Sequence, residues 1–236
     1  HTKALRIKEE FNDQWGIAQS YQFIGYYYKW KGMYATALDY LNKSVSTFRK
    51  IGDIHEAAIV MAGIGETECY LSNYYKTKDA IEEYLQVSNR TKDDYGISAA
   101  YMCSMQYLYE QGDYNDAIDR GMKSYTISRD KNIAFVFCEV NIHLGIAFLE
   151  KGDIENSLVY LTQAKYLYER NTFLRHYTVM LYPFLALAYI QDFNARKSTL
   201  SRPELNRRLL KIKRACAVAL AKTRPWTTHY GVALRA

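Results

Sequence analysis

The chain has 236 residues and carries 31 Lys and Arg against 25 Asp and Glu, a net charge of +6. Its apolar share of 49% suits a soluble globular protein, and no apolar run approaches the ~20 residues of a membrane-spanning helix. Two counts depart from ordinary usage: 3 Pro, which leaves room for long helices, and 23 Tyr, whose rings can bury one side while the hydroxyl reaches water.

Residues 1–12 read as the end of a helix rather than a secretory leader, and with His1 in place of an initiator Met the sequence is expected to be a piece of a longer protein. From there a period of forty residues sets the order. "FNDQWGIA" (11–18), "IGDIHEAA" (51–58) and "TKDDYGIS" (91–98) align at that shift, with Asp13, Asp53 and Asp93 coincident and Gly32, Gly112 and Gly152 on the same frame. Apolar residues at three- and four-residue spacing, such as Tyr21, Ile24 and Tyr28 and then Leu38, Leu41, Val45 and Phe48, make two amphipathic helices of each unit. The expected helices run over 14–31 and 34–50, 54–72 and 76–91, 95–111 and 114–130, 133–151 and 154–170, then 173–191 and 202–223. The repeats are 13–52, 53–92, 93–132, 133–172 and a degenerate fifth at 173–224, with 225–236 opening another pair through Trp226, Tyr230, Gly231 and Leu234. The turn in "LSNYYKTKDAI" (71–81) is expected to hold about three extra residues, by the alignment of its motif.

"YEQGDYNDAI" (109–118) and "LEKGDIENSL" (149–158) explain how each pair turns. Glycine supplies a left-handed residue that ends the first helix, and Asp113 or Asp153 caps the second. Gly25 and Gly145, twelve residues ahead of Ala37 and Ser157, are expected where the two antiparallel helices pass closest. Tyr34 and Tyr114 then cover the turn. A pair this thin cannot bury both faces, so it stacks on its neighbours.

"YQFIGYYY" (21–28) with Ala37, and "NIHLGIAF" (141–148) with Ser157, Leu161 and Ala164, resemble the tetratricopeptide repeat (TPR) in a forty-residue variant, similar to the repeat regions of multidomain signalling ATPases, cyclases and transcription activators. Met105 stands where that pattern has Gly, and the fifth unit matches only through Tyr182, Leu185, Ala186 and Tyr189. The resemblance implies an all-α, right-handed superhelical solenoid of antiparallel helix pairs. It also implies a groove lined by the first helices: Gln19, Gln22, Tyr26 and Lys29; Ile59, Ala62, Glu66 and Cys69; Ala99, Met102, Gln106 and Tyr109; Glu139, Ile142, Ile146 and Leu149. Such a mixed apolar and amide surface suits an extended or helical peptide.

Residues 196–224 hold ten Lys or Arg against Glu204, which leaves about −3 for the rest of the chain. Arg207, Arg208, Lys211 and Arg214 form a basic patch open to phosphate, RNA or an acidic partner, or a solvated outer face. Leu205, Leu209, Ile212, Cys216 and Leu220 are expected as the opposite, apolar stripe. No aromatic residue interleaves with the cations, which disfavours a single-strand binder.

Little points to catalysis. "GIGETE" (63–68) lacks the third glycine and preceding strand of a nucleotide loop. His55, His143, His176 and His229 lie in different units and share no helical metal-binding face. "IEEYL" (81–85) reads as solvated surface and "DDYG" (93–96) as a helix start. Cys69, Cys103, Cys138 and Cys216 sit singly in apolar helical stretches as free thiols, which points to a cytoplasmic setting. The reading is a non-catalytic protein- or peptide-binding scaffold or sensor module, without cofactor or metal, whose partner is another protein or another domain of its parent chain. An effector-peptide receptor controlling a linked output domain, and RNA or phosphate binding through the basic fifth unit, are the alternatives; nucleic acid is disfavoured and no membrane role is expected.

Overall fold

A computed structural model describes residues 2–171, 179–225 and 233–234, and among them the regular elements are helices with no strand. In chain order they are α1 (Thr2–Glu10), α2 (Gln14–Trp30), α3 (Tyr34–Lys50), α4 (Ile54–Tyr70), α5 (Tyr74–Thr91), α6 (Asp94–Glu110), α7 (Tyr114–Asp130), α8 (Ala134–Lys151), α9 (Ile154–Arg170), α10 (Leu181–Arg196) and α11 (Arg202–Thr223). The ends of α2 to α9 fall within two residues of the expected ones, and α11 spans its expected range. The chain forms two compact units, His1–Tyr107 and Leu108–Ala236.

The framework is finer than forty residues. Left-handed backbone occurs at Asn12, Gly32, Gly52, Ser72, Lys92, Gly112, Asn132 and Gly152, one residue in every twenty. After each of the last seven, the next residue's N–H reaches back to a carbonyl five residues earlier: Met33 to Tyr28 at 2.9 Å, Asn73 to Glu68 at 2.9 Å and Asp153 to Phe148 at 2.8 Å are three instances. That bond, with a left-handed residue beside it, satisfies carbonyls that the helix end would otherwise leave open. A helix of 17 residues, about 26 Å long, plus three turn residues, is therefore the unit that recurs. The turn at 71–73 has three residues, like those at 31–33, 51–53, 111–113 and 131–133, so the extra residues expected there are absent. Ser72, at φ 60°, fills the position that glycine holds at 32, 112 and 152, which hid the match in the sequence.

The caps follow the aspartates. Asp13 accepts from the Gly16 N–H at 2.9 Å, Asp53 from Glu56 at 3.0 Å and Asp153 from Asn156 at 3.1 Å. Asp113 stands at the N-cap of α7 without a side-chain bond to the helix, contrary to expectation. The expected close approach also appears. A Cβ on Gly25 would lie 2.7 Å from Leu41 Cγ, and one on Gly145 2.5 Å from Leu161 Cγ. Gly65 is their equivalent in the second pair, forty residues from Gly25, facing Ala80 and Ile81. Ser157 Oγ donates to the Gly145 carbonyl at 2.7 Å, and Thr77 Oγ1 to that of Gly65 at 3.0 Å. These bonds tie the second helix of a pair to the first across a spacing of twelve residues. By sequence register alone, the third pair exchanges the sizes: Met105 stands at the glycine position and Gly121 at that of Leu41, Ile81 and Leu161.

In the first unit Ala18, Leu41, Val45, Phe48, Ala57, Val60 and Ile64 make a core between α2, α3 and α4. In the second, α8 is buried on nearly every side from Val140 to Ala147, packed against α7, α9 and α10. The fifth pair departs from expectation at both helices. Residues 172–178, with His176, lie outside the described residues; the described helix starts at Leu181, takes Pro183 in its first turn where no N–H partner is needed, and continues to Arg196. Helix α11 is opened by a capping box between Ser201 and Glu204. Its buried line is Ala215, Ala219 and Thr223, not the expected stripe of larger residues, and Leu209 is 40% exposed. Small residues at four-residue spacing let α10 lie close along α11, which leaves no room there for leucine. Trp226, His229, Tyr230 and Gly231 lie outside the described residues.

Candidate functional site

Of the expected groove residues, Gln22, Tyr26, Lys29, Glu66 and Gln106 take part in polar contacts among α2, α4 and α6 in the first unit. Gln22 Nε2 donates to the Tyr26 hydroxyl at 3.4 Å. Lys29 pairs with Glu66, and its ammonium stands 5.0 Å from the centroid of the Tyr26 ring. Cys103 Sγ donates to the other Glu66 oxygen at 3.4 Å, and Tyr70 shares a side-chain hydrogen bond with Gln106. Gly63 admits the Tyr26 ring: a Cβ there would overlap its Cε1. The glycine of "GIGETE" thus serves a ring on the neighbouring helix.

Charge is held there at a cost in hydration. Burial pulls the Lys29 pKa down, but the Glu66 carboxylate, with Tyr70 and Cys103 adding to it, more than offsets this and leaves it above the ordinary 10.5. Lys29 therefore remains an ammonium at neutral pH. Burial raises the Tyr26 hydroxyl, the Gln22 hydrogen bond works against it, and Glu66 adds to the rise. Tyr70 is raised by burial as well, with Lys29 drawing it back. Gln22, Lys29, Met102 and Gln106 are buried, whereas Gln19, Tyr26 and Glu66 are half-buried and can meet a partner.

The equivalent positions in the second unit are closed. Ile142, Ile146 and Leu149 are at most 3% exposed, so they pack rather than present themselves. Tyr109 is also buried, its hydroxyl 3.0 Å from His143 Nδ1 with the two rings stacked. Only Glu139 among these positions is half-buried.

The basic residues frame a cleft between α9, α10 and α11 with a volume of 570 Å³. Asp192 holds Arg196 Nε at 2.8 Å on one oxygen and Arg208 on the other. Lys211 places its ammonium 3.9 Å from the Tyr189 ring centroid. Its pKa lies below the ordinary 10.5 through burial, then through Lys165 and Arg208. Arg207 lines the cleft as well; Arg214, on the same helical face, is exposed beyond it.

No protein-family model matches the sequence, and no curated protein does. Solved structures do. Apo RapI is similar at a TM-score of 0.56 and 15% identity, over 96% of this chain and 60% of RapI. A Rap protein complexed with Competence and Sporulation Factor gives 0.62 and 12%, over 94% and 72%. The Pyrococcus horikoshii signal-transduction ATPase with numerous domains, which carries a tetratricopeptide repeat sensor, gives 0.57 and 15%, over 94% of this chain and 34% of the ATPase. The chain thus spans less than two thirds of RapI and about one third of the ATPase. The fold is a TPR-type helical repeat. In this TPR frame His55 has a structural role that sequence spacing alone did not reveal. Its Nε2 lies 3.0 Å from Asp93, as Trp15 Nε1 lies 3.2 Å from Asp53, so each ring reaches the cap of the next repeat. Arg49–Glu83 and Lys78–Glu82 pairs place the "IEEYL" carboxylates on the outer surface of the TPR helices.

Among the described residues no three His, Cys, Asp or Glu are grouped to hold a metal, and no helix is long and apolar enough to cross a membrane. None of the four cysteines is in a disulfide. Burial, followed by the neighbouring Glu139, pushes the Cys138 thiol up to about 12, so it is not a nucleophile at neutral pH.

Proposed function

We propose that this chain is a non-catalytic TPR-type module that binds a protein or peptide on the polar face of α2, α4 and α6. The carrying observation is the pairing of the buried Lys29 with the half-buried Glu66, with Gln22 and Tyr26 at its side. Apolar residues of similar size often stabilise a fold as well as a buried ion pair does, so stability alone gives little reason for this network. Its half-buried members Tyr26 and Glu66, and the half-buried Gln19 one turn before Gln22 on α2, can bond a peptide backbone while the buried members hold the network in place. The amide of Gln19 has no hydrogen-bond partner among the described residues, which leaves it available.

The test is selection of a random peptide display library on the purified chain, followed by titration of the enriched peptides. Gln19→Ala and Tyr26→Ala are expected to weaken those peptides by about tenfold each. Unchanged affinity in both variants would assign binding to another surface and overturn this reading.

The narrower reading is an effector-peptide receptor that controls a linked output domain. It is supported by the similarity to a Rap protein complexed with Competence and Sporulation Factor and to an ATPase with a TPR sensor. It requires compaction of the chain in small-angle scattering when a selected peptide is added. A cytoplasmic setting agrees with the absence of a disulfide among the four cysteines.

A further inference from the structure

We infer that the cleft between α9, α10 and α11 is a second binding site, one that takes an acidic side chain of a peptide beside an apolar one. It belongs to the second unit and does not depend on the polar face of the first. The volume of 570 Å³ lies within the usual range of ligand pockets, roughly 300–1,000 Å³. Four cations and one carboxylate line it, so the lining carries an excess of positive charge, which Glu204 offsets only in part at Arg207 and Arg208.

Arg196 and Arg208 share Asp192, which fixes them along one wall. Arg207 makes no ion pair among the described residues, and Lys211 rests on Tyr189 rather than on a carboxylate. Arg208 leaves its buried Nε without an acceptor, an unsatisfied charged donor of the kind that an incoming oxyanion relieves. Burial first, then the proximity of Lys165 and Arg208, disfavours the charged form of Lys211; a bound carboxylate would favour it. Leu158 and Ile212 supply the apolar part of the lining.

The same features argue against a nucleic acid strand. The one aromatic face, Tyr189, is already covered by Lys211, so no ring is left for base stacking. A single carboxylate with an apolar neighbour fits the charge and the lining better than a run of phosphates.

Fluorescence anisotropy on the whole chain tests this with three labelled probes: acetyl-Leu-Glu-Leu-Glu-Leu-amide, the same peptide with Gln for Glu and a free C-terminus, and an oligothymidylate. The Glu peptide is expected to bind about tenfold more tightly than the Gln peptide. The double variant Arg207→Gln/Lys211→Gln, both residues exposed, is expected to lose that preference with an unchanged thermal melt. Tyr26→Ala should leave it intact, which separates failure here from failure of the first-unit face. Equal binding of the two peptides, or no binding of either, would overturn the proposal. Preference for the Gln peptide would point to a C-terminal carboxylate instead, and tighter oligothymidylate binding with steep salt dependence would point to a polyanion; either result would also overturn it.

Discussion

The first helices of the repeats treat their inward positions differently in the two units. In α2 and α4 those positions are Gln22, Tyr26, Lys29 and Glu66, joined by hydrogen bonds and an ion pair. In α8 they are Ile142, Ile146 and Leu149, all buried. Asp13 and Asp53 cap the starts of α2 and α4 whereas Ile133 opens α8 without a side-chain cap, yet all three helices share the glycine at the close approach. The difference therefore lies in what the face is for: α8 spends it on packing, whereas α2 and α4 keep polar groups where packing would accept apolar ones.

The sharpest way to break this contrast is to remove one member of the Lys29–Glu66 pair. Glu66→Ala leaves the Lys29 ammonium buried without its carboxylate and should cost about 3 kcal/mol in chemical denaturation. Replacing both, Lys29→Met with Glu66→Leu, should recover most of that loss while abolishing binding of the selected peptides. If the double variant stays as unstable as the single one, the polar face is structural after all. On the other side, Ile142→Ala should cost about 3 kcal/mol through transfer and cavity terms and leave peptide binding alone.

A smaller effect is expected from the shared glycine. Gly145→Val places a branched side chain against Leu161 and should destabilise by about 2 kcal/mol, measured by thermal melting. Ser72→Gly relieves a left-handed serine and should stabilise by about 1 kcal/mol. A neutral result there would show that the Ser72 turn is not strained.

The pH dependence sharpens the comparison further. Lys29 is raised above 10.5, and Tyr26 and Tyr70 above 10.0. Above those ordinary values the unfolded chain releases protons that the folded chain retains. Stability should therefore be fully present below about pH 10 and fall as pH rises through the raised values. Tyr26→Phe should flatten the alkaline arm of a denaturation series, whereas Ile142→Ala should shift the curve without changing its slope.

Much of the helical frame was legible because its signals are local. Asp13, Asp53 and Asp153 announce helix starts, and Gly32 and Gly152 announce ends, each within a few residues of the backbone group it serves. Ser72 escaped because a non-glycine residue took the left-handed position. The candidate site was legible only as a set of positions. The bond between Lys29 and Glu66 spans 37 residues, and nothing along the chain says that one needs the other. The basic cleft was read as a helical face because the sequence shows charge but not the Asp192 carboxylate that gathers two of the arginines.

By itself the sequence determined the forty-residue repeat, most helix ends and the close approach at Gly25 and Gly145, since these depend on backbone hydrogen bonds and side chains close along the chain. Tertiary structure alone decided that Ile142 is shut in while Tyr26 stays half open, that α11 buries Ala215 and Ala219 rather than Leu209, and that four cations enclose a cleft. Burial is set by which neighbouring helix comes how close, and that distance is a sum over side chains contributed by different repeats.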